Sequence, residues 1–247
     1  MPDEERFFRQ MRVSGIGPEG QAALSKSRVL VVGCGALGSV LASFIVRAGV
    51  GTVHLVDDDW VELSNLYRQI LFDQEDALQR RDKALVVASK LSLVHPFVTV
   101  KAHRIRLLDD NIDALVGGVD VVVDGTDNFE TRYRINDTCV RLGIPWVYGG
   151  VLGMTGMSMT VVPGQTPCLR CVFPSVAGAQ DGPTPEREGV FGPVVGVVAS
   201  LQAAEALKLL MGHPPSAGLA RVDLMEGSLS RLDLGGRRPD CSCGQSS

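Results

Sequence analysis

The sequence has no excess of positive charge: 24 Lys and Arg against 28 Asp and Glu give a net charge of −4 over 247 residues. Nothing in that balance draws the chain to nucleic acid or to an anionic membrane. A targeting segment is also missing. Residues 1–10 carry Asp3, Glu4, Glu5, Arg6 and Arg9 and no apolar core, which excludes a secretory signal. Residues 29–46 are uncharged, yet Gly33, Gly35, Gly38, Ser39 and Ser43 interrupt them. A buried strand, a glycine turn and a buried helix account for that run better than a membrane span does. There are no repeats and no low-complexity tract, and the expectation is a soluble, cytoplasmic protein. Histidine is scarce: His54, His95, His103 and His213 have no nucleophile or second ligand near them in sequence, so all four read as structural or solvated. Without a signal sequence, the six cysteines are not expected to form a disulfide framework.

What is present is globular. Hydrophobic residues make up 45% and charged residues 21%, and the length fits one large domain or one with an appendage. Glycine stands out at 28 residues, which implies many turns or backbone lying close to a ligand. From 28 to 150, short β-rich runs at 29–32, 52–56, 98–102, 119–123 and 145–148 alternate with helical stretches at 39–48, 83–93 and 130–142, the last stopped by Gly143. That alternation predicts an α/β fold with a doubly wound, mostly parallel, Rossmann-like sheet. From 151 to 247 the pattern changes to a strand at 157–162, a polar loop at 174–188, a helix at 194–211 and a hairpin formed by 221–224 and 229–234 around Glu226-Gly227. Those strands extend the sheet in antiparallel fashion.

Three polar clusters sit where the apolar strands run out. Gly33-Cys34-Gly35-Ala36-Leu37-Gly38 follows a strand and opens a helix, and Asp57 ends the next strand about twenty residues on. Such a turn lets backbone N–H groups approach phosphate, while the carboxylate accepts from ribose hydroxyls. The pattern suits NAD as well as ATP. Arg68 and Lys83 follow; they are either cations aimed at a polyphosphate or ordinary solvated side chains. Asp127, in Asp124-Gly125-Thr126-Asp127-Asn128, either holds magnesium or belongs with Asn128 to the cap of the helix from Glu130.

Taken in order, the 33–38 turn, Leu63-Ser64-Asn65-Leu66-Tyr67-Arg68-Gln69, Asp124-Gly125-Thr126-Asp127-Asn128, Cys168-Leu169-Arg170-Cys171 and Cys241-Ser242-Cys243 resemble the ThiF/MoeB branch of the ubiquitin-activating-enzyme superfamily. Gly192-Pro193-Val194-Val195-Gly196 and Asp57-Asp58-Asp59 are closer to ThiF. The resemblance implies one adenylation domain over 1–247, with a nucleotide-binding part at 28–150 and a part at 151–247 for the carrier and the cysteine pairs. It implies ATP bound by Gly33, Gly35, Ala36, Gly38, Asp57, Ser64, Asn65, Arg68, Lys83, Asp127 and Asn128, with Mg2+ on Asp127. It implies catalysis by Arg68, Lys83, Asp127 and an Arg9 lent across a homodimer. The substrate so implied is a small ubiquitin-like sulfur carrier protein, ThiS-like, whose C-terminal Gly-Gly carboxylate becomes an acyl-adenylate with release of pyrophosphate. Gly149, Gly150, Gly153 and Gly156 would line a channel for that tail, although ordinary turns need the same glycines. The alternatives are activation of the molybdopterin synthase small subunit in the manner of MoeB, activation of another carboxylate, and a nucleotide-binding scaffold without chemistry.

Cys168, Cys171, Cys241 and Cys243 could supply four thiolates to a structural Zn2+, against a redox pair or idle thiols. The family's second pair is C-x-x-C, and here it is shortened to C-x-C. Cys34 and Cys139 read as core residues. ThiF also carries a cysteine in the loop before Gly189, and Pro185 stands at its place; no cysteine lies between Cys171 and Cys241. That departure puts a covalent sulfur step in doubt. With the sequence ending just beyond Cys243, sulfur transfer is expected from a separate sulfurtransferase.

Overall fold

The computed structural model describes residues 2–174, 185–241 and 243. Two helices, α1 (Pro2–Met11) and α2 (Gly17–Lys26), lead into β1 (Arg28–Val32), α3 (Ala36–Arg47) and β2 (Thr52–Val56). Then come α4 (Gln74–Leu78), α5 (Lys83–Ser92), β3 (Thr99–His103), α6 (Ile112–Val116), β4 (Val121–Asp124) and α7 (Phe129–Leu142). The hairpin β5 (Trp146–Leu152) and β6 (Thr155–Val161) follows, with α8 (Leu169–Val172), α9 (Pro185–Glu188), α10 (Gly192–Leu210) and the hairpin β7 (Leu219–Asp223) and β8 (Ser228–Leu232).

All eight strands form one sheet in the order β3-β2-β1-β4-β5-β6-β7-β8. Pairing is parallel from β3 through β5 and antiparallel from β5 to β8. The expected doubly wound sheet with an antiparallel extension is what the chain adopts. β1 is all but buried because Val29, Leu30, Val31 and Val32 face apolar layers on both sides. One layer contains α3, α5 and α10; the other contains α6, α7 and α8. The chain goes one way from β1 to β2 and the other way to β4, so a topological switch point lies at their carboxyl ends.

Residues 29–46 are β1, the turn and α3, as their glycines indicated. The helix α10, 19 residues with a hydropathy of 1.4, is long and apolar enough by composition to cross a membrane. Here it lies along α3 and strands β4 to β6 and buries Gln202 and Glu205. α7 starts on the Asn128 side chain, which accepts the Thr131 N–H at 2.9 Å, and ends where Gly143 turns left-handed at φ 72°. β5 runs four residues beyond the expected 145–148 segment because its hairpin with β6 carries it past the end of β4. The expected 98–102 strand lies one residue further on, at Thr99–His103.

Candidate nucleotide site and cysteine cluster

The turn after β1 is shaped by glycines that have no room for a side chain. Gly33 has φ 84°, and a Cβ there would stand 2.7 Å from the Gly125 carbonyl oxygen. A Cβ on Gly125 would in turn stand 2.6 Å from the Gly33 oxygen, and one on Gly38 would collide with that same oxygen. The turn and the loop after β4 therefore meet backbone to backbone. Asp57, at the end of β2, closes the turn: its two carboxylate oxygens accept the Cys34 N–H at 2.6 Å and the Asp59 N–H at 2.8 Å. Burial pushes the Asp57 carboxyl above its ordinary range, against these two N–H groups and the Lys83 ammonium. α3 begins at Ala36, so its unpaired N–H groups and positive dipole end are aimed at the same space.

Lys83, only 7% exposed, heads α5 and reaches Asp59 Oδ2 at 2.9 Å. Arg68 is half-buried, donates to its own Ser64 carbonyl oxygen at 3.1 Å and lies 4.9 Å over the Tyr67 ring. Asn65 is buried and locks the 3-10 turn Leu63–Asn65, accepting the Glu62 N–H at 3.3 Å, while Ser64 stays exposed. Beside Gly35 lies Gln69, buried, with its amide oxygen unpartnered among the described residues. A cradle without side chains, two cations and an unspent amide are what a nucleotide's phosphates would fit.

The loop after β4 is held from both faces of the sheet. Asp124 is fully buried and accepts from the Thr126 N–H at 2.8 Å and from Arg132 Nε at 3.0 Å. The same guanidinium donates to the carbonyl oxygens of Thr126 at 2.6 Å and Gly149 at 3.0 Å. From the opposite face, Gln202 on α10 donates to the Asp124 carbonyl oxygen at 2.7 Å. Asp127 rides on this loop, exposed, with only a long contact of 3.4 Å from Asn128 and no ion pair among the described residues. An acceptor-only carboxylate without a cation suits a hard divalent ion.

A second cluster lies against α7. Cys168 and Cys241 sulfurs are 3.5 Å apart, Cys171 and Cys243 3.3 Å, and Cys168 and Cys171 3.9 Å, with all four within 4.8 Å of one another. Four thiolates about 2.3 Å from a tetrahedral Zn2+ stand about 3.8 Å apart, so the set matches such a centre. The shortened C-x-C therefore still delivers both sulfurs. Burial pushes the Cys168 thiol up to about 11, whereas the Arg238 N–H and the neighbouring thiols hold Cys171 low despite its burial. The Asn136 side chain pins the cluster to α7 by accepting the Leu169 N–H at 2.8 Å.

The sequence pattern of the ThiF family matches residues 7–243. The chain belongs to the ThiF family. It is 41% identical to a sulfur carrier protein adenylyltransferase of Thermus thermophilus, over 97% of this chain and 90% of that protein. It is also 41% identical to the sulfur carrier protein ThiS adenylyltransferase of Escherichia coli, over 89% of this chain and 86% of that one. Among solved structures, E. coli MccB with MccA-N7isoASN superposes with a TM-score of 0.85 over 98% of this chain and 75% of that one, at 24% identity, a likeness of fold.

Within this ThiF-family fold the 33–38 turn, Asp57, Lys83 and the Asp127 loop converge at the carboxyl ends of β1, β2 and β4. The start of α10 meets Arg68 at the same end, where a Cβ on Gly192 would stand 3.1 Å from the Tyr67 carbonyl oxygen. Arg9 is not brought there. It is exposed on α1, whose Gln10 bonds the Ala48 carbonyl oxygen beyond the far end of α3. Two of the four glycines expected along a tail channel have another reason: a Cβ on Gly149 would collide with Gln202, and one on Gly156 with Val198, so both admit α10. Cys34 and Cys139 are core residues, as expected. Pro185 begins α9, while the loop positions 175–184 lie outside the described residues. His54 and His103, expected to be structural or solvated, stack with Nδ1 and Nε2 3.0 Å apart across β2 and β3, a pairing their spacing in sequence does not show. Arg132 and Gln202 give no local signal in sequence, since their partners lie at Asp124, Gly149 and Val147.

Proposed function

We propose that the chain is a cytoplasmic, ATP-dependent adenylyltransferase that activates the C-terminal glycine carboxylate of a small ubiquitin-like sulfur carrier protein of the ThiS type. The observation that carries this reading is the backbone contact of Gly33 and Gly38 with Gly125, which brings the phosphate cradle against the loop bearing Asp127. A nucleotide with its phosphates in the 33–38 turn would have Asp57 at its ribose and Arg68, Asn65 and Lys83 towards the phosphates.

The chemistry asks little of the protein beyond position and charge. The carrier's carboxylate, ionised near pH 7, needs no general base. Its oxygen forms a bond to the α-phosphorus as the bond to the bridging oxygen breaks, and pyrophosphate leaves with the electron pair. Lys83 would exchange Asp59 for a phosphate oxygen, and Arg68 would swing from the Ser64 carbonyl, both neutralising charge as it moves to the leaving group. Asp127 would hold Mg2+, which supplies further neutralisation when bound. Cys168, Cys171, Cys241 and Cys243 would hold Zn2+ in a closed structural site that anchors the C-terminal segment without taking part in the reaction. With Pro185 in place of a loop cysteine, sulfur delivery falls to a separate sulfurtransferase.

Arg9, exposed and far from its own turn, would serve the site of a second copy in a homodimer. Exchange of labelled pyrophosphate into ATP, dependent on a carrier ending in Gly-Gly, tests the reading. Asp127→Ala and Arg9→Ala should each reduce exchange at least about 100-fold, a loss typical of removed transition-state charge partners. Mixing the two inactive variants should restore part of the activity, because one mixed site regains both groups. No recovery would remove the shared site, and an active Asp127→Ala protein would remove the magnesium role.

A further inference from the structure

β5 outruns its parallel neighbour. β4 ends at Asp124 and pairs with β5 only through Val122 with Trp146 and Val123 with Val147, while β5 continues to Leu152 paired to β6 alone. On the side where β4 has stopped, residues 148–152 present an edge with no strand against it among the described residues. The edge begins beside the Asp127 loop, where Arg132 reaches over to the Gly149 carbonyl oxygen. It ends at Gly153, whose N–H bonds the Gly189 carbonyl oxygen at 2.9 Å and whose oxygen accepts the Phe191 N–H at 2.8 Å. An open strand edge bounded at both ends is a place where an extended peptide can add.

Tyr148 stands at the start of this edge and is only 4% exposed. Its ring is fixed by Trp146 at 6.4 Å and Phe173 at 6.0 Å between centroids, and by the Arg132 guanidinium at 5.2 Å. Yet its hydroxyl has no hydrogen-bond partner among the described residues, and it is not one of the fully enclosed unpartnered atoms, as Trp146 Nε1 is. The ring is held in place while the hydroxyl has no partner to give up among those residues, so its donor is available to a ligand. Burial pushes the phenol above its ordinary value, so it remains a donor at neutral pH. A Cβ on Gly150 would stand 2.6 Å from the hydroxyl oxygen, so glycine at 150 is what leaves that oxygen bare.

We propose that Tyr148 is a substrate-contacting residue: its hydroxyl donates a hydrogen bond to a backbone carbonyl of the carrier's terminal diglycine, laid along the open edge of β5 toward the Asp127 loop. The inference rests on the adenylyltransferase reading above and adds to it the residue that recognises the tail. A ring packed only for bulk would keep its function without the oxygen, and that difference can be measured. The experiment is carrier-dependent ATP–pyrophosphate exchange by the full chain, with purified ThiS-type carriers ending in Gly-Gly, comparing the wild type with Tyr148→Phe and Gly150→Ala. Tyr148→Phe should keep the wild-type melting temperature and the KM for ATP, and raise the KM for the carrier roughly three- to tenfold, the worth of one neutral hydrogen bond. Gly150→Ala, which displaces the hydroxyl, should raise it at least as much. Equal carrier KM values for the wild type and Tyr148→Phe overturn the inference while leaving the adenylyltransferase reading in place. Absence of exchange by the wild type with every such carrier overturns the reading itself, and the role of Tyr148 with it.

Discussion

At the scale of single residues, neighbouring polar groups in the 124–128 loop divide their tasks. Asn128 gives its side-chain oxygen to the cap of α7, which leaves Asp127 beside it without a structural role. In sequence the two readings of this pair were balanced, because a cap and a metal ligand call for the same residue types in the same place. Arg132 and Gln202 were invisible for a different reason: each acts on a segment distant in the chain, and no local pattern marks such a partner. The paired histidines belong here too. Burial lowers both His54 and His103 below the ordinary value of 6.5, with the second ring and the nearby Lys101 and Arg28 cations adding to the effect on His54. With the folded value below the unfolded one, their stabilising contribution is complete above pH 6.5 and is lost as pH falls through that value towards the lower folded ones. Melting temperatures taken from pH 8 down to pH 5 should therefore drop more steeply for the wild type than for a His54→Gln, His103→Gln double variant. Parallel curves would dismiss the pair as a source of acid sensitivity.

At the scale of elements, the strands and the long helices were legible because glycines and turns bracket apolar runs of one period. The sequence predicts no element before Val29, where α1 and α2 lie; of the apolar residues of α1, Phe7, Phe8 and Met11, only Phe7 is buried, stacked on the distant His95. The glycines of the second half were harder to interpret, since a glycine that admits a helix and one that lines a channel look alike in sequence. The packing separates them. Gly156 sits under Val198 with no space for a methyl group, whereas Gly196 within α10 has nothing within 4 Å of its missing Cβ. Gly156→Ala should cost about 1–3 kcal/mol through overpacking, and Gly196→Ala should gain about 0.4–1 kcal/mol by stiffening the unfolded chain. Urea titrations of the two variants, with unchanged slopes, would show the opposite signs; the same sign for both would contradict this account of α10.

At the scale of the whole molecule, Cys241 and Cys243 come to lie against Cys168 and Cys171 beside α7, with Cys241 standing 70 residues after Cys171. Formation of this cluster could be anticipated only as a possibility, because the spacing of C-x-C fixes no geometry until the backbone around Arg238 turns it. Cys171→Ser should take the zinc content from about one per chain to near zero and lower the melting temperature by several degrees. Metal analysis of the purified variant checks this, and an unchanged zinc content would remove the metal assignment.

An eight-stranded sheet has two outer strands, and here they are β3 and β8. Each carries a cation inside its length, Lys101 in one and Arg231 in the other. Stacking either border against another molecule of the same kind would set like charges facing and strip them of water, a common safeguard against fibrous growth. The fold thus keeps five strands in parallel and exposes all of β8 with a cation in each border strand, and replacing Lys101 and Arg231 with threonine should raise light scattering as the protein is concentrated.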